Sequence, residues 1–326
     1  MKTQRLLSVF LIVAIISGSL IIGWLIYNQR DEDAGVFPAG ILEMPEAEFK
    51  FAIGGDGSKP DSVMSEPLGV DIADNGDIYV ADTLNNRIKV FNKYGEFKLN
   101  FGDKNHVYLP SDLVIRDENV FVVDGKNSRI QIFELKGKFV KTFAGPEIGK
   151  KIGAWIPSAI TISEMGDIYV TDVFFHRVIV FDNKGNIKRY FGLPGNGQGQ
   201  LMYPNGIAVN DYGYVYVADS NNGRIQVFDE KGKFVNTLSI NDQTQKIVMP
   251  RGIYLSRQGL LYVADTFMHR ISVFDVDKDV VTDTITFGSR GTGNDQMNFP
   301  NDISIRNNVL VIADRANNRV LVYNIK

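Results

Sequence analysis

The chain has 326 residues, a formal charge of −3 and no cysteine. That length gives ample core for one large domain or two small ones. The mild acidity argues against general affinity for phosphate backbones, and the missing thiols exclude disulfides, thiolate metal sites and cysteine nucleophiles.

From Leu6 to Tyr27 the sequence runs LLSVFLIVAIISGSLIIGWLIY without a charge. As a helix this stretch extends roughly 33 Å, enough for a ~30 Å hydrocarbon core. Trp24 and Tyr27 fall at its far end, where amphipathic rings favour the interface. Lys2 and Arg5 precede it, and Arg30 follows among Asp31, Glu32 and Asp33. The positive-inside rule therefore predicts a single-pass transmembrane signal-anchor over residues 1–29, with the N-terminus cytoplasmic and the rest extracytoplasmic at the cell membrane. A cleaved signal peptide is the competing expectation, with Ser17 and Ser19 near a cut. Its apolar region normally spans about 7–15 residues, and this one continues past the serines. Residues 30–48, with Pro38 and Pro45, read as a linker.

Beyond the linker the chain repeats. VADTLNNRIKVF ends at Phe91, VVDGKNSRIQIF at Phe133 and VTDVFFHRVIVF at Phe181; VADSNNGRIQVF ends at Phe228, VADTFMHRISVF at Phe274 and IADRANNRVLVY at Tyr323. Six aspartates (82, 124, 172, 219, 265, 314) each precede an arginine by five positions, and a proline opens each unit: Pro67, Pro110, Pro157, Pro204, Pro250 and Pro300. The prolines stand 43 to 50 residues apart. Within a unit, alternating β-branched and aromatic residues between Gly, Asn and Asp turns predict four short antiparallel strands. Four strands at this period is the pattern of a propeller blade. The sixth unit stops after its third strand, and EFKFAIGG at residues 48–55 matches the fourth-strand segments of other units. The expectation is an all-β, six-bladed propeller over residues 49–326, closed by its N-terminal strand so that no sheet edge stays open.

Each Asp–Arg pair reads as scaffold. The aspartate closes the second strand and can accept N–H bonds from the turn; the arginine opens the third and can pair with that carboxylate. Six copies cannot all be catalytic. The position before the arginine varies instead, as Asn86, Ser128, His176, Gly223, His269 and Asn318. Two turns are apolar as well, Val173-Phe174-Phe175 and Thr266-Phe267-Met268, where the others hold Asn, Ser or Lys. Large apolar groups at these turns form either a contact patch or packing between blades. The glycine-rich GLPGNGQGQ and GSRGTGNDQ lack the following helix that a phosphate cradle needs and read as crossovers between blades.

The motifs Pro-x-Gly-[Ile/Val], Tyr-Val-Ala-Asp and Asn-Asn-Arg-Ile-x-Val-Phe resemble the NHL repeat over about 280 residues. That resemblance implies a propeller whose opening-proline face surrounds the channel mouth and usually binds partners. It puts Phe174, Phe175, His176, Phe267, Met268, His269 and Arg251 on a surface for a protein or peptide, with the membrane reached through the N-terminal helix and no bound cofactor. Nucleic-acid binding, known in some NHL proteins, needs a basic face, and the turns offer only Lys126 and Arg315. The zinc histidines of NHL-like peptidyl-α-hydroxyglycine lyases follow the opening proline directly; here Leu68, Ser111, Ser158, Asn205, Arg251 and Asn301 stand there. Gluconolactonase-like propellers hold calcium in the channel with oxygen ligands, and Glu66, Asp112, Asn205, Asn301 and Asp302 lie near the matching mouth. A metal-assisted hydrolase using them is the alternative to a binding scaffold or sensor, opposed by Arg251, whose charge would repel a cation.

Overall fold

The computed structural model describes residues 46–326 apart from 56–58, 104, 239–245 and 278–279. The expected membrane anchor and the linker up to residue 45 lie outside the described residues, among which no helix is long and apolar enough to cross a membrane.

Blade 1 shows how the sequence makes the unit. Its strands are Pro67–Ile72, Ile78–Asp82, Arg87–Phe91 and Phe97–Phe101, hydrogen-bonded in chain order. The second strand, IYVAD, is buried throughout because blades pack on both its faces; the outermost strand alternates between partly buried and exposed side chains as far as Phe101, which is buried. Between the third and fourth strands Asn92 Oδ1 accepts the N–H groups of Tyr94 and Glu96, and Gly95 takes φ +80°. An asparagine hydrogen-bonding its own turn, followed by a glycine in the left-handed region, is a local instruction for a tight reversal. In every blade the opening proline pairs opposite the aspartate of the second strand, from Pro67 with Asp82 to Pro300 with Asp314. Proline suits that position because the ladder asks no N–H of it there.

Five blades run in sequence order. The sixth is assembled from Pro300–Arg306, Val309–Asp314 and Arg319–Ile325, with Ala47–Gly54 added as its outermost strand. This closing strand begins just inside the span expected to be linker. It is antiparallel to Arg319–Ile325 from Ala47 opposite Ile325 to Gly54 opposite Arg319, and Phe49 meets Tyr323 edge to face at 5.6 Å.

Six apolar clusters fill the described structure, one between each neighbouring pair of blades. Ile88, Val122 and Phe133 lie between blades 1 and 2; Ile53, Val80 and Val320 lie between blades 6 and 1, where the ring shuts. The innermost strands run around a central channel of about 1140 Å3.

A chain starting at Asp56 loses Phe49 and Ile53 from two clusters and exposes the edge of Arg319–Ile325. Burial of each such side chain contributes about 1.5–3 kcal/mol, so it should melt roughly 6 °C or more below a chain starting at Met44. Equal melting temperatures in calorimetry would show that the strand does not close the ring.

Candidate interaction face and channel mouth

The repeated aspartate organises the face on which the prolines open. Asp82, Asp124, Asp172, Asp219, Asp265 and Asp314 have no exposed surface. Each accepts a backbone N–H from the segment leading into its own blade: Ser65, Tyr108, Ile156, Met202, Met249 and Asn298, at 2.6 to 3.0 Å. Five also take the arginine Nε at 2.6 to 2.9 Å, while Arg270 stands 3.8 Å from Asp265. Asn85, Asn127, Asn222 and Asn317 add bonds to the same carboxylates. In blades 3 and 5 that asparagine position holds Phe175 and Met268. The arginine Nη groups continue outward to carbonyls of the lead-in, as Arg224 does to Gly197 and Gln200. Arg177 differs: its guanidinium lies over the rings of Phe175 and Tyr190, at 4.9 and 5.2 Å.

The variable position before the arginine has one conformation throughout. Asn86, Ser128, His176, Gly223, His269 and Asn318 all have φ between +50° and +62°. Asparagine and glycine tolerate that region best, which accounts for half of the set. The side chain there can also reach the next blade. Asn86 Oδ1 accepts Leu109 N–H, Asn318 Oδ1 accepts Glu66 N–H, and the histidines do the same with Nδ1, His176 from Tyr203 and His269 from Phe299. An Nδ1 acceptor requires a neutral ring with its proton on Nε2. Burial disfavours the charged ring and pushes both histidines down, His269 to about 4 with Arg290 adding repulsion.

The two apolar turns have different surroundings. Phe267 is partly buried and packs edge to face on Phe299 of the next blade at 5.8 Å. Phe174 and Phe175 remain 42% and 38% exposed, edge to face with each other at 4.9 Å. The blade 5 turn thus packs between blades, whereas the blade 3 turn presents apolar surface.

At the mouth, the residues after the prolines hydrogen-bond around the opening. Ser111 Oγ donates to Ser158 O, Ser158 Oγ to Asn205 Oδ1, Arg251 Nη1 to Asn301 Oδ1, and Asn301 Nδ2 to Leu68 O. Glu66 Oε2 accepts from Nε and Nη2 of Arg315. Deeper in the wall, Asp112 and Asp302 bind amides of the neighbouring blades: Asp112 takes Ile160 N–H and Asp302 takes Val70 N–H. Asp71, which the sequence reading did not single out, takes Ile115 N–H and Ser304 Oγ. Burial raises all three carboxyls, and repulsion between Asp112 and Asp302 adds to it at Asp112. Of the residues considered for calcium, Asp112, Asp302, Asn301 and Glu66 each have an oxygen engaged with an amide, Arg251 or Arg315, and Asn205 Oδ1 accepts a serine hydroxyl. Among the described residues no three His, Asp or Glu side chains are grouped so as to hold a metal ion. Sequence position offered one signal for this belt: Asp112 and Asp302 stand where three of the other four units have glycine.

Residues 64–91, 201–228 and 248–274, in blades 1, 4 and 5, match the family model described as NHL repeat. The chain is a six-bladed β-propeller that carries NHL repeats. Over 136 residues this NHL propeller is 31% identical to Protein brain tumor of Drosophila melanogaster, a match spanning 39% of this chain and 12% of that protein. Among solved structures it resembles a streptogramin B lyase (TM-score 0.61, 15% identity, 85% of this chain and 98% of that one). Virginiamycin B lyase from Staphylococcus aureus gives 0.58 at 17% identity, over 86% and 100% of the two chains. A Bacteroides thetaiotaomicron protein of unknown function gives 0.67 at 12%, over 86% and 76%. At these identities the likeness is one of fold alone.

Arg224→Ala removes the partner of a buried carboxylate and should lower stability by roughly 1–3 kcal/mol in urea unfolding; an unchanged midpoint would remove the clamp from the account. The histidines give the ring a pH dependence. With the folded value depressed below the unfolded value of about 6.5, the unfolded chain takes up the proton first, so the latch contributes fully above about pH 6.5 and is lost as pH falls toward the folded value. His269→Asn keeps the left-handed turn and the acceptor without titrating. Its melting temperature should fall less than that of the natural chain between about pH 7 and about pH 5; parallel curves would count against the latch.

Proposed function

We propose that this NHL propeller is a membrane-anchored, extracytoplasmic scaffold that captures a protein or peptide on the face where the prolines open. The observation that supports it best is the apolar edge of blade 3. Phe174 and Phe175 are exposed beside Tyr190 (55% exposed), bridged to it by the Arg177 guanidinium. Leu193, 67% exposed, follows a glycine packed against His176 and Arg177. The turn itself does not need these phenyls, since Leu84-Asn85 and Asn221-Asn222 form equivalent turns in blades 1 and 4. Contiguous aromatic surface on a soluble face is commonly a contact site. Arg251, Met268 and the histidines belong to the same face, the histidines as its supports. The anchoring and the extracytoplasmic location rest on the charge-free stretch from Leu6 to Tyr27 and the cationic residues before it.

A photoreactive benzophenone amino acid at Phe174 of the full chain, in native membranes, should give a discrete adduct identifiable by mass spectrometry. The same group at Tyr212, 79% exposed on the opposite face, should not. Phe174→Ser should weaken binding of the identified partner about tenfold or more without changing the melting temperature, whereas Phe267→Ser should lower the melting temperature through loss of Phe299. Equal adducts from both positions, or none from Phe174, would refute the assignment.

A further inference from the structure

In five blades the arginine that opens the third strand donates Nη to carbonyls of its lead-in, as Arg129 does to Asn105 and His106, at 2.7 to 3.4 Å. Blade 3 departs from this pattern. Its lead-in winds into two short helical turns, Pro146–Ile148 and Gly149–Ile152, then reverses at Gly153 with φ +83°. Gly153 N–H closes the second turn on Gly149 O, and Gly153 itself lies against the Phe175 ring, where a Cβ would stand 3.3 Å from Cε2. Phe175 occupies the place that asparagine holds in blades 1, 2, 4 and 6. Arg177, 7% exposed, is left with Nη2 buried and without an acceptor among the described residues. The rings over its guanidinium, Phe175 and Tyr190, are both exposed, and exposed side chains change rotamer within nanoseconds.

Charge on the same lead-in is one-sided. Lys150 and Lys151 are exposed, belong to the turn that abuts Phe175, and make no ion pair among the described residues. The one acid of this lead-in, Glu147, is turned back onto Gly145 N–H. We propose that the blade 3 edge receives an extended, acidic segment of a protein partner. Its apolar side chains rest on Phe174, Phe175 and Leu193, its carboxylates face Lys150 and Lys151, and one backbone carbonyl takes the place of the lead-in carbonyl that Arg177 lacks. An extended chain suits this donor, because its carbonyls are not consumed by internal hydrogen bonds as those of a helix are. A basic segment would meet like charge at both lysines. The inference rests on the assignment of a protein partner to the aromatic patch and specifies that partner's chemistry.

The test selects random peptides of about twelve residues, long enough to cross the patch when extended, on the full chain in detergent. Enriched peptides should place Asp or Glu beside an aromatic or aliphatic residue and bind Phe174→Ser about tenfold or more weakly. Lys150→Glu combined with Lys151→Glu, at exposed positions outside the blade cores, should weaken the same peptides about tenfold or more, and added salt should weaken them on the natural chain. Exchanging each peptide carbonyl in turn for a thiocarbonyl, a poorer acceptor, should single out one position. Neutral or basic enriched peptides, acidic ones indifferent to the lysine reversals, or a thiocarbonyl scan without a sensitive position would overturn the proposal and leave the aromatic patch standing. Peptides indifferent to Phe174→Ser, or no enrichment, would remove both readings. Photoadducts of position 174 with lipid instead of protein would assign the patch to the membrane surface and overturn the proposal as well.

Discussion

The buried aspartate at the end of each second strand is the constraint around which the molecule is built. A carboxylate with no exposed surface is costly unless donors surround it. Here each one collects a lead-in amide, in most blades an arginine Nε, and often an asparagine as well. Those donors belong to three separate segments, so satisfying one charge fixes the path of the incoming chain, the turn and the start of the third strand together. The arginine then carries the link outward to the carbonyls of the lead-in. Six such knots define the proline face and leave few positions on it unconstrained.

The unconstrained positions are where the blades diverge, and the divergence is chemical. After the proline come leucine, serine, asparagine and arginine. After the aspartate come threonine, serine, glycine, valine and, once, arginine. Where these side chains are small and polar they tie neighbouring blades together, as the Ser220 hydroxyl does to Pro250. Where they are charged they also bridge blades, as Arg251 does to Asn301 and Arg315 to Glu66.

Most of the fold could be read from the sequence because its determinants are local and repeated. The spacing from Asp82 to Arg87, the Asn92–Gly95 reversal and the likeness of residues 48–55 to other outer strands each lie within a few residues. The site was less legible because its determinants join distant blades. The shared role of His176 and His269 shows only once the N–H groups of Tyr203 and Phe299 are seen at their Nδ1 atoms. Phe174 and Phe267 occupy the same position in their units, and their different exposure depends on Phe299, thirty-two residues beyond the second of them. The Glu66–Arg315 pair and the contact of Asp302 with Val70 exist only once the last blade meets the first.

That last meeting has a kinetic side. Ala47 pairs with Ile325, so the ladder that shuts the ring joins residues separated by nearly the whole described chain. Closing so long a loop forfeits more entropy than forming any single blade and delays the final contacts. During synthesis the first strand must wait, unpaired, until the last has emerged, and throughout that interval the partial ring offers an adhesive border to other nascent copies. Chaperone demand should therefore concentrate at this one seam, and the speed with which the C-terminal strand follows its predecessors should govern yield more than the stability of the finished propeller does.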